Sequence, residues 1–323
     1  MREITLVEAI REALCEELER DEQVFIVGQD IRGSIFPYTK GLVDQFGEDR
    51  IIDTPLAESG MYGVAMGAAQ EGFRPVVDFM FSGFTYVTFS ELSVATGQHY
   101  FLHGSQVPMP LVVTGATGTG MRLANDHSMA VHGTLFHQPG WKVAMPSTPY
   151  DAKGLFKAAI RDNNPVFIPW HMQLMMERGA VPEEDYVVPL GVADVKREGS
   201  DVTVLANSAQ LRNALAVADR LKDEISMEVI DPRTFEPFDM ETLLRSLEKT
   251  NRLVLVDEDW EKGGYISTIS ARVVEQAFDL LDAPIRRVTL PNMPIPGGHM
   301  EPYIAPNPDK IEAAVRVVCG AEV

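Results

Sequence analysis

The chain has 323 residues, of which 45% are hydrophobic and 23% are charged, a balance typical of a globular protein with room for two domains. Its 28 basic and 47 acidic residues give a formal net charge of −19, so its surface repels nucleic acid and anionic membranes. Composition therefore predicts that neither nucleic acid nor a membrane is a partner of this chain. No uncharged apolar run approaches the length needed to cross a bilayer.

The chain begins with an amphipathic segment rather than a basic and then apolar signal peptide. Apolar residues recur at helical spacing from Leu6 to Leu18, and Thr5 is placed to cap that helix. The cysteines, Cys15 and Cys319, lie near opposite ends among apolar neighbours, which favours buried free thiols over a disulfide. A reducing, cytoplasmic location fits this pattern.

Short apolar strands then alternate with helical stretches, which predicts βαβ units and a mostly parallel sheet. The predicted strands of the first half are Val24–Val27, Pro75–Phe79, Pro110–Thr114, Lys142–Met145 and Pro165–Ile168, and the predicted helices are Gly60–Glu71, Thr88–Phe101 and Tyr150–Asp162.

A second alternation follows a segment rich in Glu, Pro and Tyr. Its predicted strands are Val202–Leu205, Met227–Ile230, Leu253–Val256 and Ile285–Leu290, and its predicted helices are Ala209–Leu221, Met240–Leu247, Ile266–Phe278 and Lys310–Val318. We therefore predict an α/β protein of two doubly wound domains, residues 1–175 and 199–323, joined by a linker at 176–198.

Several common binding motifs are absent from the sequence. It has no P-loop, no Gly-x-Gly-x-x-Gly after a strand and no Cys or His cluster at zinc spacing. The run Gly115–Gly120 follows a predicted strand but lacks the Lys-Ser/Thr ending of a phosphate loop. A Gly-rich turn is the favoured interpretation, and close approach to a ligand or partner stays open.

Glu58 lies at the start of a helix rich in small residues, in the segment DTPLAESGMYGVAMGAA. It is either an acid favoured by the helix dipole or a carboxylate aimed at a ligand. The next strand ends in DFMFSGF, where Met80 and Phe84 could sandwich a flat ring or simply belong to the core. Their position after a strand end favours a binding role for Glu58.

His127 lies between Asp126 and Ser128 in a loop beyond another strand end. A lone loop histidine is usually a surface or capping residue, but these neighbours could orient it for proton transfer. The remaining histidines have less distinctive settings, and most are predicted to be structural: His99, His103, His132, His137, His171 and His299.

Several separate blocks carry a family resemblance that covers nearly the whole chain. They are DTPLAESGMYGVAMGAAQEGFRPVVDFM, PSTPYDAKGLFKAAIRDNNPV, VIDPRTFEPFDMETLLRSLEKTNRLVLVDED and LDAPIRRVT. The chain resembles the β subunits of thiamine diphosphate-dependent 2-oxoacid dehydrogenases, which include pyruvate, branched-chain and acetoin dehydrogenase components. The resemblance implies a pyrimidine-binding domain followed by a transketolase C-terminal-like domain.

The resemblance also assigns residue roles. Glu58 matches the glutamate that hydrogen-bonds the aminopyrimidine of thiamine diphosphate, Phe84 the aromatic ring packed on that pyrimidine, and Met80 a neighbouring wall. His127 matches a histidine that assists proton and acyl transfer to a lipoyl group. A structural potassium ion in some relatives is held by residues that match Leu111, Ala159, Asp162 and Asn164; an ordinary helix-ending turn explains that segment equally well.

Half of the family's cofactor site is missing from this chain. The diphosphate and magnesium signature is Gly-Asp-Gly followed later by Asn-Asn, and no Gly-Asp-Gly precedes Asn163-Asn164. The resemblance therefore implies an α-type partner that supplies the diphosphate and Mg²⁺ site in an α₂β₂ assembly. A lipoyl acyltransferase is a further expected partner.

The substrate is less constrained. The family usually has Gln-His-Ser-Gln where this chain has Asp126-His127-Ser128-Met129, which leaves room for a different 2-oxoacid or an acyloin. Two alternatives stay open: one half of a split transketolase-like or acyloin-forming enzyme, and a non-catalytic subunit that stabilises a partner.

Overall fold

The computed structural model describes residues 1–320, so residues 321–323 of the predicted second domain lie outside the described part of the chain. The elements of the first half are β1 Arg2–Thr5, α1 Leu6–Arg20, β2 Val24–Gly28, α2 Leu42–Phe46, β3 Ile51–Asp53, α3 Glu58–Gln70, β4 Arg74–Phe81, α4 His99–Leu102, β5 Val112–Thr117, α5 Asn125–Ser128, α6 His132–Phe136, β6 Lys142–Ala144, α7 Pro149–Arg161, β7 Val166–Phe167, β8 Trp170–His171 and β9 Arg178–Val181.

The second half has the same alternating order. Its elements are β10 Asp194–Arg197, β11 Val202–Ala206, α8 Ser208–Leu221, β12 Met227–Asp231, β13 Thr234–Glu236, α9 Met240–Thr250, β14 Leu253–Trp260, α10 Tyr265–Ala277, β15 Arg286–Leu290, α11 Glu301–Ile304 and α12 Pro308–Val318. No helix among the described residues has the length and apolar character to cross a membrane.

Two sheets organise these elements and confirm the predicted fold class. In the larger sheet the strand order is β13-β6-β7-β5-β4-β2-β3, with β8 also paired to β5, and only the pairing of β13 with β6 is antiparallel. In the smaller sheet the order is β10-β12-β11-β14-β15, with β10 antiparallel to β12. Helices cover both sheets, as parallel strands require.

The first residues form a strand, β1, ahead of the predicted helix. β1 pairs with β9, and the helix begins only at Leu6. The Thr5 hydroxyl accepts from the Glu8 N–H at 3.3 Å, and the Glu8 carboxylate accepts from the Thr5 N–H at 2.7 Å, so a capping box starts α1. Strands β9 and β10 lie within the segment predicted as a linker.

The predicted helix over 88–101 is irregular. A 3₁₀ segment covers Ser82–Thr88, a π-helical segment covers Glu91–Gly97, and α4 follows. The Trp141 indole N–H donates to the Leu92 carbonyl at 2.9 Å and so engages a carbonyl that a regular helix would use. A Cβ on Gly97 would lie 2.9 Å from the Pro139 carbonyl oxygen, so this close approach requires glycine.

The two halves are joined tightly. β13 comes from the second half of the chain but extends the sheet of the first. One apolar core also contains side chains from both halves, such as Phe79, Val113, Phe235 and Tyr265. The cysteines Cys15 and Cys319 are free and half-buried rather than fully buried.

The Gly115–Gly120 run belongs to this junction. The Thr119 N–H donates to the Glu258 carboxylate at 2.8 Å, and the Gly120 N–H donates to the Glu301 carboxylate at 2.5 Å. Backbone donors that could have held a phosphate are thus bound to acidic side chains of the second half. The run is an interdomain contact of this chain.

Candidate active site

Glu58 is the first residue of α3 and is half-buried. Ala57, before it, provides no side-chain cap, so the first N–H groups of the helix are open and favour a carboxylate at this position. The Ser59 hydroxyl donates to the Val87 carbonyl at 3.2 Å. This bond holds the start of α3 against the 3₁₀ segment that carries Phe84.

The three glycines of α3 face away from this chain. A Cβ built on Gly63 or Gly67 would meet nothing within 4 Å, and one on Gly60 would meet only Ala57, at 3.9 Å. The close packing that these glycines permit is therefore not made within this chain. Exposed apolar side chains lie around the same region: Leu56 at 81%, Val64 at 66% and Val87 at 59% exposure.

Met80 lies where β4 loses its regular register with β5. Its φ of 62° is in the left-handed region, which costs a non-glycine residue conformational energy. The buried Asp78 stabilises this turn, because its carboxylate accepts from the Met80 N–H at 2.8 Å and from the Tyr38 hydroxyl. Burial raises the pKa of Asp78 to about 6, although both hydrogen bonds act in the opposite direction.

Asp78→Ala is expected to lower the free energy of unfolding by about 1–3 kcal/mol, because it leaves the buried Tyr38 hydroxyl and the Met80 N–H without an acceptor. Urea unfolding measures this loss. The exposed Asp49→Ala is the matched control and should change stability by less than about 0.5 kcal/mol. A loss for Asp78→Ala as small as that of the control would show that Asp78 does not support the turn.

Phe84 and His127 meet in an aromatic cluster that also contains Phe81. The ring centroid of His127 lies 4.6 Å from that of Phe81 and 5.4 Å from that of Phe84, both in edge-to-face geometry. Phe81 packs edge-to-face on Phe84 at 5.9 Å. The sequence predicted that Phe84 and His127 belong to one site, and the structure places them together; Phe81 was missed, although it stands in the same DFMFSGF segment.

The backbone of α5 fixes His127. The Ser82 hydroxyl and the Thr117 hydroxyl both donate to the Met129 carbonyl, at 3.2 and 3.0 Å. From the second half, the Ile295 N–H donates to the Asn125 side chain at 3.0 Å. The loop that carries His127 is therefore held by the first sheet and by the Pro-rich loop before α11.

Asp126 is the polar neighbour of His127. Its carboxylate lies 3.3 Å from His127 Nδ1, and the hydrogen bond from His127 lowers the pKa of Asp126. An anionic partner on Nδ1 favours the tautomer in which that nitrogen carries a proton. The side chain of His127 is 37% exposed in this chain, so a ligand or another chain can reach it.

The residues matched to a potassium site lie close to one another around the end of α7. The Asp162 N–H donates to the Ala159 carbonyl at 3.3 Å, and the Asn164 amide donates to the Asp162 carboxylate at 2.9 Å. Other groups already engage their oxygens: the Leu111 carbonyl accepts from Val166, and Lys142 pairs with the Asp162 carboxylate. The Arg74 guanidinium also donates to the Asp162 carbonyl at 2.9 Å.

Comparison with known proteins matches both halves to family models. Residues 2–177 match the transketolase pyrimidine binding domain, and residues 191–311 match the transketolase C-terminal domain. A solved structure described as a split gene transketolase, inactive beta4 tetramer, superimposes with a TM-score of 0.80 over 99% of each chain. Its sequence identity is 21%, so it supports the fold alone.

Curated relatives extend over almost the whole chain. The 2-oxoisovalerate dehydrogenase subunit beta of Bacillus subtilis is 42% identical, with 98% of each chain covered. The pyruvate dehydrogenase E1 component subunit beta of that organism is 41% identical, with 98% of this chain and 99% of the relative covered. Its acetoin:2,6-dichlorophenolindophenol oxidoreductase subunit beta is 39% identical, with 99% and 98% covered. The chain therefore belongs to the transketolase-like family of dehydrogenase E1 β subunits.

Proposed function

We propose that the chain is the β subunit of a thiamine diphosphate-dependent 2-oxoacid or acetoin dehydrogenase, with an active site shared with an α-type subunit in an α₂β₂ assembly. The enzyme cleaves the bond next to a carbonyl and transfers the acyl group to a lipoyl carrier. The free thiols Cys15 and Cys319 are compatible with work in a reducing cytoplasm.

One arrangement carries the proposal. The Glu58 carboxylate stands at the open start of α3, next to the segment that brings Phe84 and His127 into one aromatic cluster. All of these residues follow the carboxyl ends of parallel strands β3, β4 and β5, where open α/β sheets bind ligands. A carboxylate beside an apolar, aromatic wall fits a flat heterocycle with a ring nitrogen.

The residues support distinct tasks toward that heterocycle. When bound, thiamine diphosphate supplies the nucleophilic carbon and the electron sink of the reaction. Glu58 would share a proton with the pyrimidine nitrogen, and Phe84 and Met80 would line the ring and exclude water. His127, oriented by Asp126, would exchange a proton with the reacting acyl group or its acceptor.

Two features support an α-type partner: a motif that is missing from the sequence and an apolar face that is exposed in the structure. The sequence has no Gly-Asp-Gly, so the diphosphate and Mg²⁺ are assigned to the partner. Glycines of α3 and the exposed Leu56, Val64 and Val87 form an apolar face beside Glu58. An exposed apolar face of this kind fits a protein interface.

Co-expression with an α-type subunit tests the proposed activity. We expect thiamine diphosphate-dependent reduction of 2,6-dichlorophenolindophenol with at least one of pyruvate, branched-chain 2-oxoacids or acetoin. Activity only with sugar phosphates would identify a split transketolase instead. Absence of turnover with every substrate, in a complex that binds the cofactor, would favour a non-catalytic subunit.

The potassium site near Leu111, Ala159, Asp162 and Asn164 remains a prediction of the resemblance. Arg74 and Lys142 already place positive charge on Asp162, which competes with a cation. If the site binds potassium, K⁺ raises the Tm of the complex more than Na⁺ at equal ionic strength. Equal effects of K⁺ and Na⁺ on the wild-type complex would contradict the site.

A further inference from the structure

Strand β14 carries Asp257, Glu258 and Asp259 just before its last residue, and all three carboxylates are buried between the two halves of the chain. Each one is met by groups of the N-terminal half. Asp257 binds His132, and the Asp259 carboxylate lies against Gly133. Glu258 lies on the other side, against Thr119 and His171.

His132 is the first residue of α6 and is 1% exposed. Its Nε2 lies 2.9 Å from Asp257 Oδ2, and its ring packs on Phe235 and Tyr265 with centroid distances of 4.9 and 5.7 Å. The second oxygen of Asp257 accepts from the Asn207 side chain and the Glu258 N–H, both at 2.9 Å. The His132–Asp257 contact is thus buried.

Gly133 brings α6 unusually close to Asp259. A Cβ at Gly133 would lie 1.9 Å from Asp259 Oδ2, so only glycine lets the backbone reach this carboxylate. His132 and Gly133 together therefore bind α6 to both acids on one side of β14.

The charges favour a protonated His132. Burial alone would lower the pKa of His132, but the negative field of Asp257 and its hydrogen bond, with smaller contributions from Asp259 and Glu258, raise it above the ordinary value. Burial raises the pKa of Asp259 to about 6, with His132 opposing and Asp257 assisting. The Tyr265 ring on α10 is the other titratable group against His132.

We propose that His132 is a positioning residue of the active site: as an imidazolium paired with Asp257, it fixes the start of α6, and with it the adjoining α5 that carries His127, on the C-terminal half. Its importance for turnover rests on the proposed function. The contact that His132 makes between the two halves of the chain is independent of that function.

A proton accounts for the contacts better than a metal ion does. His132, Asp257 and Asp259 have ligand atoms within 4.8 Å of one another, a set that could hold a divalent cation. However, both oxygens of Asp257 already accept hydrogen bonds, and His132 lies at direct hydrogen-bond distance from one of them. A bound metal ion is therefore the alternative that the measurements must distinguish from a protonated His132.

The first measurement is the Tm of the full chain at pH 6 and pH 9, for wild type, His132→Gln and the exposed control His137→Gln. Because the pKa of His132 is raised on folding, its stabilisation is complete below its ordinary pKa of 6.5 and disappears as the pH rises through the folded value. We expect His132→Gln to lower the Tm by roughly 5–10 °C at pH 6 and by much less at pH 9.

The double variant His132→Gln/Asp257→Asn separates charge from packing. It replaces the ion pair with a neutral pair of similar shape, so it should recover more than half of the lost Tm and show a smaller pH dependence than wild type. The same Tm loss for His132→Gln at both pH values would contradict the proposal that His132 is protonated in the folded chain. If Zn²⁺ or Mn²⁺ stabilises wild type but not His132→Gln, the site binds a metal ion instead of holding a protonated histidine.

The effect of His132 on the position of His127 is measured separately. In ¹³C-histidine NMR spectra at pH 6, His132→Gln should shift or broaden the His127 imidazole signal, whereas His137→Gln should leave it unchanged. An unchanged His127 signal in His132→Gln would overturn the positioning role. None of these measurements uses thiamine diphosphate or a substrate, so they remain decisive even if the proposed function fails.

Discussion

Glu58→Gln is expected to lower kcat of the reconstituted enzyme about 10²–10⁴-fold, the range for loss of a positioned proton-sharing group. Glutamine keeps most of the volume and can still hydrogen-bond, but it cannot exchange a proton with a ring nitrogen. Because Glu58 is only half-buried at the start of α3, the variant should fold and bind the partner normally. Steady-state dye reduction at saturating cofactor measures the loss.

Glu71→Gln is the matched control, because Glu71 is an exposed acid at the other end of the same helix. It should keep kcat within about twofold of wild type, since surface substitutions of this kind have small effects. A Glu58→Gln enzyme with the activity of this control would remove Glu58 from the catalytic machinery and leave it as a helix-start acid.

His127→Gln is expected to lower acyl transfer to a lipoyl-bearing carrier by about 10²-fold or more. Dye reduction should fall less, because the dye takes electrons without needing an acyl group delivered to a thiol. Both rates are measured on one preparation, so their ratio isolates the transfer step. The substitution removes an edge-to-face partner of Phe81 and Phe84, so cofactor binding is measured alongside.

His137→Gln again serves as the control, since its exposed imidazole lies after α6 and outside the aromatic cluster. It should leave both rates close to wild type. Equal losses of dye reduction and lipoyl transfer in His127→Gln would argue against a specific role in transfer and for a general role of the ring in the site.

Much of the fold could be predicted from apolar periodicity. Most parallel strands of both halves were located within a few residues, because buried strands appear in the sequence as short apolar runs between turns. The short parallel strands β3 and β8 were missed. β13 was missed because three residues, Thr234–Glu236, carry too little pattern, and its partner β6 lies far away in sequence. The irregular segment 88–101 was predicted as one regular helix, since the contact of Trp141 with Leu92 has no local signal.

The candidate site could be predicted in part. Motif blocks and strand ends single out Glu58, Phe84 and His127, whose roles stay predictions; the structure places Phe84 and His127 in one aromatic cluster. Asp78 was passed over although an acid inside the apolar run PVVDFMF is a signal of a buried polar role. The pairing of His132 with Asp257 was not predictable, because only the packing of the two halves brings them together.

The shared cofactor site is the central claim, and equilibrium binding of thiamine diphosphate with Mg²⁺ tests it most directly. Titration calorimetry is performed on this chain alone, on the α-type subunit alone and on the complex of the two. The account predicts tight binding only to the complex, and binding at least about tenfold weaker when the complex carries Glu58→Ala. Tight binding to this chain alone, or unchanged binding and turnover with Glu58→Ala, would contradict it.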